Sequence, residues 1–409
     1  MRHVALLLLL LSACHPRAVP PPERLPPEEP ARQPPATEEA ALAPAPSTEA
    51  PVAAPQARAV SIIVGGDVTL GHNYQTHHDA ESARGRPQDA LLAYGFQEVK
   101  SLTDAADLFV VNLECPFTER GEKLPKNFNF RAKPELVGIL TAGGVDVVSL
   151  ANNHLMDYGA QGLLDTLDTL DAAHIPYFGA GRNLAEARRP AIITVGGQRV
   201  ALLGYFFLGT RNIEPPGVFA TETTPGVAGH FSDEAVMARM LREDIAAARA
   251  HADLVLPYFH WGREGTYTPE PYQVRLAHAA IDAGAAGVLG AHPHVLQAME
   301  LYQGRPVVYS LGNFVFGGNW NPRDKRGALW KGHFGPDGGY LSSEILPLRT
   351  DRFPELPFQP VPVTGEAAEA VLRLLAESSE GVERMLPELE PWARPPPSPE
   401  LRGRESPTH

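Results

Sequence analysis

The chain has 409 residues, 44% of them hydrophobic, and 48 acidic against 35 basic side chains, for a formal charge of −13. Such a balance excludes a nucleic-acid binder, which needs clustered Lys and Arg. It also repels polyanions and phosphoesters at long range, so any anion site has to be local and deep.

In chain order, residues 1–14 are a short basic start (Arg2, His3), a leucine run and Leu11-Ser12-Ala13-Cys14. The run is too short to span a bilayer and has the proportions of a signal peptide's apolar region. The cysteine after Leu-Ser-Ala resembles the lipobox of bacterial lipoproteins. That resemblance implies cleavage before Cys14, lipid on Cys14, and membrane attachment through it; an ordinary secretory signal is the alternative. His15, in place of the aspartate that retains lipoproteins at the inner membrane, favours the outer membrane, with the protein facing the periplasm or cell surface. Residues 15–59 are rich in Pro, Ala and Glu and read as a disordered linker. At about 3.1 Å per residue it can hold a domain on the order of 100 Å from its anchor. Residues 60–390 are expected to form the folded domain and residues 391–409 a second Pro-rich tail. With Cys14 lipidated, Cys115 is the only thiol left, a small core residue more often than a nucleophile.

Within the domain, apolar runs end in polar clusters. Ser61-Ile62-Ile63-Val64 leads to Gly66-Asp67, and Leu108-Phe109-Val110-Val111 leads to Asn112-Leu113-Glu114. Val147-Val148-Ser149-Leu150 leads to Asn152-Asn153-His154, Leu254-Val255-Leu256 to His260-Trp261-Gly262, and Gly287-Val288-Leu289 to His292-Pro293-His294. Asn313 and the segment 300–302 extend the series. Continuous apolar runs suit strands buried on both faces of an α/β sheet, whose ligands bind beyond the carboxyl ends. The Asp, Glu, Asn and His side chains should therefore converge at one sheet edge as a metal or phosphate site. Helical periodicity covers residues 134–142, 160–173, 233–251, 272–283 and 367–376. Gly196-Gly197 between two β-rich runs predicts a hairpin, and residues 306–316 a further strand, so a mixed or second sheet is expected. His72, His77 and His78 read as a solvated polar loop, and Asn152 as a turn former.

The ordered set Gly66-Asp67-Val68, Asn112-Leu113-Glu114-Cys115-Pro116, Ala151-Asn152-Asn153-His154, Gly181-Arg182-Asn183, His260-Trp261-Gly262, His292-Pro293-His294-Val295-Leu296-Gln297 and Ser310-Leu311-Gly312-Asn313-Phe314 resembles the poly-γ-glutamate capsule-biosynthesis proteins of the CapA type. That group is similar to the calcineurin-like metallophosphatases. The resemblance implies an α/β, metallophosphatase-like four-layer sandwich of two mixed β-sheets flanked by helices. It also implies metal ligation by Asp67, Glu114, Asn153, His260, His292 and His294, with His154 as catalytic proton donor. One or two divalent ions (Zn, Mn or Fe) would serve; two would stand about 3.5–4 Å apart and clamp the attacking and leaving oxygens. Two departures bear on nuclearity. Val68-Thr69 follow Asp67 where the phosphatases carry Asp-x-His, leaving His72 as the nearby histidine, and Glu114 stands where Asp is common.

Arg131, Arg182 and Arg263 are candidates for anion binding, with surface ion pairing as the alternative, and Asn313 for support behind the ligands. The function implied is synthesis, export or tethering of an anionic capsule polymer such as poly-γ-glutamate. The alternatives are a metal-dependent phosphoesterase acting on an envelope phosphoester and a non-catalytic binding or scaffold lipoprotein. No Gly-x-x-x-x-Gly-Lys-Ser/Thr loop is present, so polymer-synthesis or export partners are expected to activate the monomer.

Overall fold

The computed structural model describes residues 57–385; Cys14, nearly all of the linker and the Pro-rich tail lie outside the described residues. The strands in chain order are β1 (Val60–Thr69), β2 (Leu108–Leu113), β3 (Val147–Ser149), β4 (Tyr177–Phe178), β5 (Ala180–Gly181), β6 (Ala191–Val195), β7 (Gln198–Phe207) and β8 (Gly226–Val227). They continue as β9 (Leu254–Trp261), β10 (Val288–Ala291), β11 (Met299–Tyr302), β12 (Arg305–Val308), β13 (Asn313–Phe316), β14 (Arg326–Phe334), β15 (Tyr340–Arg349) and β16 (Val361–Pro362).

Two mixed sheets carry the fold. The first has the order β16-β15-β14-β1-β2-β3-β4, with β13 pairing β1, and the second β11-β12-β10-β9-β7-β6; β5 and β8 form a short ribbon. The β1–β4 ladder is parallel, as are β7, β9, β10 and β12, so their carboxyl ends point one way within each sheet. Alternation along the strands feeds two cores at once. Ile62, Val64, Val110 and Val147 meet Leu202, Leu254, Leu256 and Tyr258 between the sheets. Ile63, Phe109, Val111 and Val148 instead pack against Ile139, Leu140, Leu163 and Leu167 of the helices Val137–Gly143 and Gly159–Ala172. On the other side Leu203, Tyr205, Val255 and Phe259 pack against Met237, Leu241 and Ile245 of Glu234–Arg249 and Leu276 of Pro271–Asp282. The result is the four-layer, metallophosphatase-like sandwich. Strand runs are continuously apolar because both of their faces are covered.

Local signals set the ends. Asp233 accepts hydrogen bonds from the Ala235 and Val236 amides at 2.9 and 3.1 Å and so starts Glu234–Arg249. Gly196 and Gly197, at φ 55° and 77°, close the β6–β7 hairpin. Three expectations need correction. Residues 306–316 are not one strand: β12 joins the second sheet and β13 the first. The segment around His77 and His78 is the helix Asn73–Ala83, whose polar sequence hides its period because only Tyr74 and His78 are buried. Residues 300–302 lie on β11, where Glu300 bonds His278 at 2.8 Å and Tyr309 at 2.6 Å rather than joining the other clusters.

β1 is shared by β14 along its first half and by β13 at its end, with a register shift near Gly65 and Gly66. A Cβ on Gly66 would stand 1.8 Å from the Gly312 carbonyl oxygen, so only glycine permits this approach. It brings Asp67 level with Asn313 on one side and Asn112 on the other. The start of β1 is pinned by Asp107, whose carboxylate accepts from the Ser61 amide (2.8 Å) and hydroxyl (3.0 Å) and pairs with Arg58. The Arg58 hydrogen bond, outweighing partial burial, holds its pKa down at about 2. A carboxylate with a depressed folded pKa stabilises above its unfolded pKa and loses that contribution as pH falls through the folded value. Asp107→Asn should therefore cost roughly 1 kcal/mol at pH 7 after solvent screening, with the deficit fading between about pH 4 and 2. Urea unfolding at several pH values measures this, and an equal deficit at pH 2 would refute it.

Candidate metal centre

The site lies beyond the carboxyl ends of β1, β2 and β3 in one sheet and β9 and β10 in the other. The expectation of a single sheet edge is thus corrected to an opening between two. β1 contributes Asp67, the residue after β2 is Glu114, β9 contributes His260, and His292 and His294 follow β10. Asn153 and His154 lie in the loop after β3. His292 and His294 adopt φ of 99° and 57°, a left-handed backbone that costs on the order of 1–3 kcal/mol per residue and persists only where surroundings enforce it.

Among the described residues, three groups of donors stand within 4.8 Å of one another: Glu114–His260–His292, Asp67–Glu114–His294 and Glu264–His292–His294. In the first, His260 Nε2 lies 3.0 Å from His292 Nδ1, 3.4 Å from Glu114 Oε1 and 2.7 Å from Asn153 Oδ1. Ligands about 2.1 Å from a tetrahedral ion stand roughly 3.4 Å apart; the His260–Glu114 separation matches this, and the two shorter contacts have to open for an ion to enter between them. In the second, His294 Nδ1 is 3.3 Å from Asp67 Oδ2 and its Nε2 is 3.8 Å from Glu114 Oε1. Glu114 is common to both groups.

Electrostatics differ between the two groups: the first holds neutral imidazoles, whereas in the second His294 carries a proton that an arriving cation would replace. Burial, reinforced by Asp67, pushes the Glu114 carboxyl well above its ordinary pKa. Burial holds His260 and His292 well below theirs, leaving neutral imidazoles with lone pairs to offer. Burial opposes protonation of His294, but Glu114 and Asp67 outweigh it and raise that pKa to about 10. Burial also works against the Asp67 charge, yet the His294 hydrogen bond and charge bring its pKa below the usual value. Both Glu114 oxygens are buried with no hydrogen-bond partner. An orphaned carboxylate among imidazoles is costly unless a cation is shared, so the residues present fit a divalent metal.

Amides hold the ligands. Asn112 Nδ2 donates to Asp67 Oδ1 at 2.8 Å, and Asn152 Nδ2 donates to Asn112 Oδ1 and the Leu113 carbonyl. Asn152 Oδ1 accepts from the His154 and Leu155 amides, fixing the turn that presents Asn153 and His154. Asn313 Oδ1 lies 3.0 Å from His294 Nδ1. His154 Nδ1 is 2.7 Å from Asp157 Oδ2, its Nε2 is 4.0 Å from Glu114 Oε1, and its ring lies on Phe130 with centroids 4.2 Å apart. Lys126 ties this loop down, reaching Asp157 (2.7 Å), Glu214 (3.0 Å) and the Asn153 carbonyl (2.5 Å).

Not every candidate arrives. Arg182 is taken by Asp168, Asp171 and Glu186 on the surface, and these ion pairs include no residue of the donor groups. Arg131 lays its guanidinium over the Tyr158 ring at 4.5 Å. Arg263 precedes Glu264 on the turn after β9. His72 packs its ring 5.7 Å from Phe130 and belongs to none of the donor groups. Cys115 is buried, its thiol pushed up to about 12 by burial, and Trp261 is a wall donating to the Tyr309 carbonyl. Sequence reasoning missed Asp157, Lys126 and Glu264. A carboxylate three residues past His154, and one between Gly262 and Gly265, were the available signals.

Residues 61–318 match the family described as bacterial capsule synthesis protein PGA_cap. The chain is 36% identical over 259 residues to "Capsule biosynthesis protein CapA" of Bacillus anthracis, covering 62% of this chain and 61% of that relative. It is 33% identical over 276 residues to "PGA biosynthesis protein CapA" of Bacillus subtilis, covering 67% of each. It is 32% identical over 328 residues to a probable polyglutamine synthesis accessory protein of Mycobacterium tuberculosis, covering 72% of this chain and 85% of that one.

Proposed function

Since the chain belongs to the bacterial capsule synthesis family PGA_cap, we propose that it is a metal-dependent envelope protein taking part in the synthesis, export or tethering of an anionic capsule polymer such as poly-γ-glutamate. The names of the relatives support the polymer class. The observation that carries the metal requirement is Glu114, buried without a hydrogen-bond partner and common to two donor groups.

Asp67, Glu114, Asn153, His260, His292 and His294 would hold one or two ions of zinc, manganese or iron. When bound, such an ion activates water and offsets negative charge on a carboxyl or phosphoryl oxygen. The chain's own groups do the rest. Asn112 and Asn152 orient the ligands, and burial keeps bulk water from them. His154 is positioned to hold or release a proton at Nε2, because Asp157 occupies its Nδ1. An overall charge of −13 leaves anion recognition to this pocket and its rim. We read Cys14 as lipidated, holding the domain at the outer membrane on its linker, and the monomer-activating and export steps as the work of partner proteins.

Deleting the gene in its own host should remove the cell-associated anionic polymer, and wild type but not His292→Ala should restore it. Unchanged polymer in the deletion strain would sink this reading. The His154–Asp157 pair favours a second reading, hydrolysis of an envelope phosphoester at the same site, because a carboxylate-oriented imidazole is what a leaving oxygen needs.

A further inference from the structure

We propose that Glu264 is an exchangeable ligand on the solvent side of the metal centre, holding the ion faced by His292 and His294 until an anion displaces it. The inference rests on reading the donor groups as a metal centre, and it adds a residue outside that ligand set.

Glu264 forms the third donor group with His292 and His294, within the 4.8 Å that also defines the other two groups. Its backbone is not loose. The Gly265 amide donates to the Pro293 carbonyl at 2.9 Å, joining the turn directly to the peptide between the two histidines. The Gly262 amide donates to Tyr272 Oη at 2.7 Å, and Gln297 Nε2 donates to the Thr266 carbonyl at 2.9 Å. Thr266 Oγ1 closes the turn onto the Arg263 carbonyl at 2.7 Å. Gly262 and Gly265 take φ of 90° and 70°, which lets so short a turn reverse beside the histidines.

What separates Glu264 from Asp67 and Glu114 is exposure: those two are buried, whereas Glu264 faces solvent. A buried carboxylate is a permanent ligand because leaving the metal would strand its charge. An exposed one trades metal for water at little cost, so an incoming carboxylate or phosphate can replace it. The charge count points the same way. If two divalent ions bind, the two carboxylates Asp67 and Glu114 alone would leave excess positive charge at the centre. Glu264 compensates part of it in the resting protein and returns it to an anion on release.

The test uses the full chain, with Mn2+ and inorganic phosphate as probes in titration calorimetry. Glu264→Gln should weaken Mn2+ binding, or the weaker equivalent where two bind, by about tenfold or more. It should leave the melting temperature in chelator unchanged, since the side chain is exposed. Phosphate should bind the Mn2+-saturated variant more tightly than saturated wild type, because no carboxylate has to be displaced. Equal Mn2+ affinity in the two proteins overturns the ligand role, and phosphate affinity that is equal or weaker in the variant overturns the exchange. Wild type that binds no Mn2+, zinc or iron would instead overturn the metal-centre reading itself, so the two failures are distinguishable.

Discussion

Glu114→Gln is expected to abolish metal binding and, in the same protein, to stabilise the metal-free fold. Both effects follow from one carboxylate. Glu114 belongs to both buried donor groups, and glutamine removes the charge each group shares. Elemental analysis of the purified full chain should fall from one or two equivalents of zinc, manganese or iron to none. In chelator the sign reverses. Neither Glu114 oxygen has a hydrogen-bond partner, and burial with Asp67 nearby raises its pKa well above normal. A raised carboxyl pKa means that the folded state holds the proton more tightly, so the group destabilises the fold at pH values above its unfolded pKa. Replacing it by a neutral isostere should gain about 1–3 kcal/mol at pH 7. Saturating metal should then invert the ranking, since a ligand at 100 times its Kd adds about 2.7 kcal/mol to wild type alone. Urea melts with chelator and with Mn2+ measure both halves. A variant that keeps its metal, or is less stable without it, contradicts this account of Glu114.

The second large effect concerns His154. If its Nε2 delivers the proton to a leaving oxygen, His154→Ala should lower turnover of an alkyl phosphoester about 10²–10⁴-fold with metal content unchanged. A nitrophenyl phosphoester, whose leaving group needs little protonation, should lose less than about tenfold. Asp157→Asn should follow the same pattern less severely, because the amide still reaches Nδ1 but no longer stabilises the charged ring. Equal losses on both esters would mean that His154 serves structure or binding. No hydrolysis by metal-loaded wild type would set aside the phosphoesterase reading and leave a role in binding or export of the polymer.

Much of the fold was legible because its strands are buried on both faces. Runs such as Leu108-Phe109-Val110-Val111 carry that signature locally, and each core side chain contributes roughly 1.5–3 kcal/mol for being there. The hairpin at Gly196-Gly197 and the cap at Asp233 depend on backbone chemistry within a few residues. The polar helix Asn73–Ala83 and the β14–β15 hairpin escaped notice. The first buries little, and in the second the buried β14 carries glycine, lysine and histidine among its apolar residues while β15 is largely exposed, so neither has a clean apolar period.

By itself the sequence determined which side chains stand at strand ends, and hence the Asp, Glu, Asn and His donors, because the end of a buried run is written in neighbouring residues. It also determined the family, through the order of short motifs over residues 61–318. Only the tertiary structure decided how those ends meet. Asp67 and the His292 amide are 225 residues apart in the chain and 3.4 Å apart in the fold. The division of 306–316 between two sheets, the pairing of Asp157 with His154, the seating of Glu264 beside the histidines and the loss of Arg182 to surface acids were likewise decided there. Each depends on how two sheets pack and where loops land across their opening, and no local pattern encodes such distances.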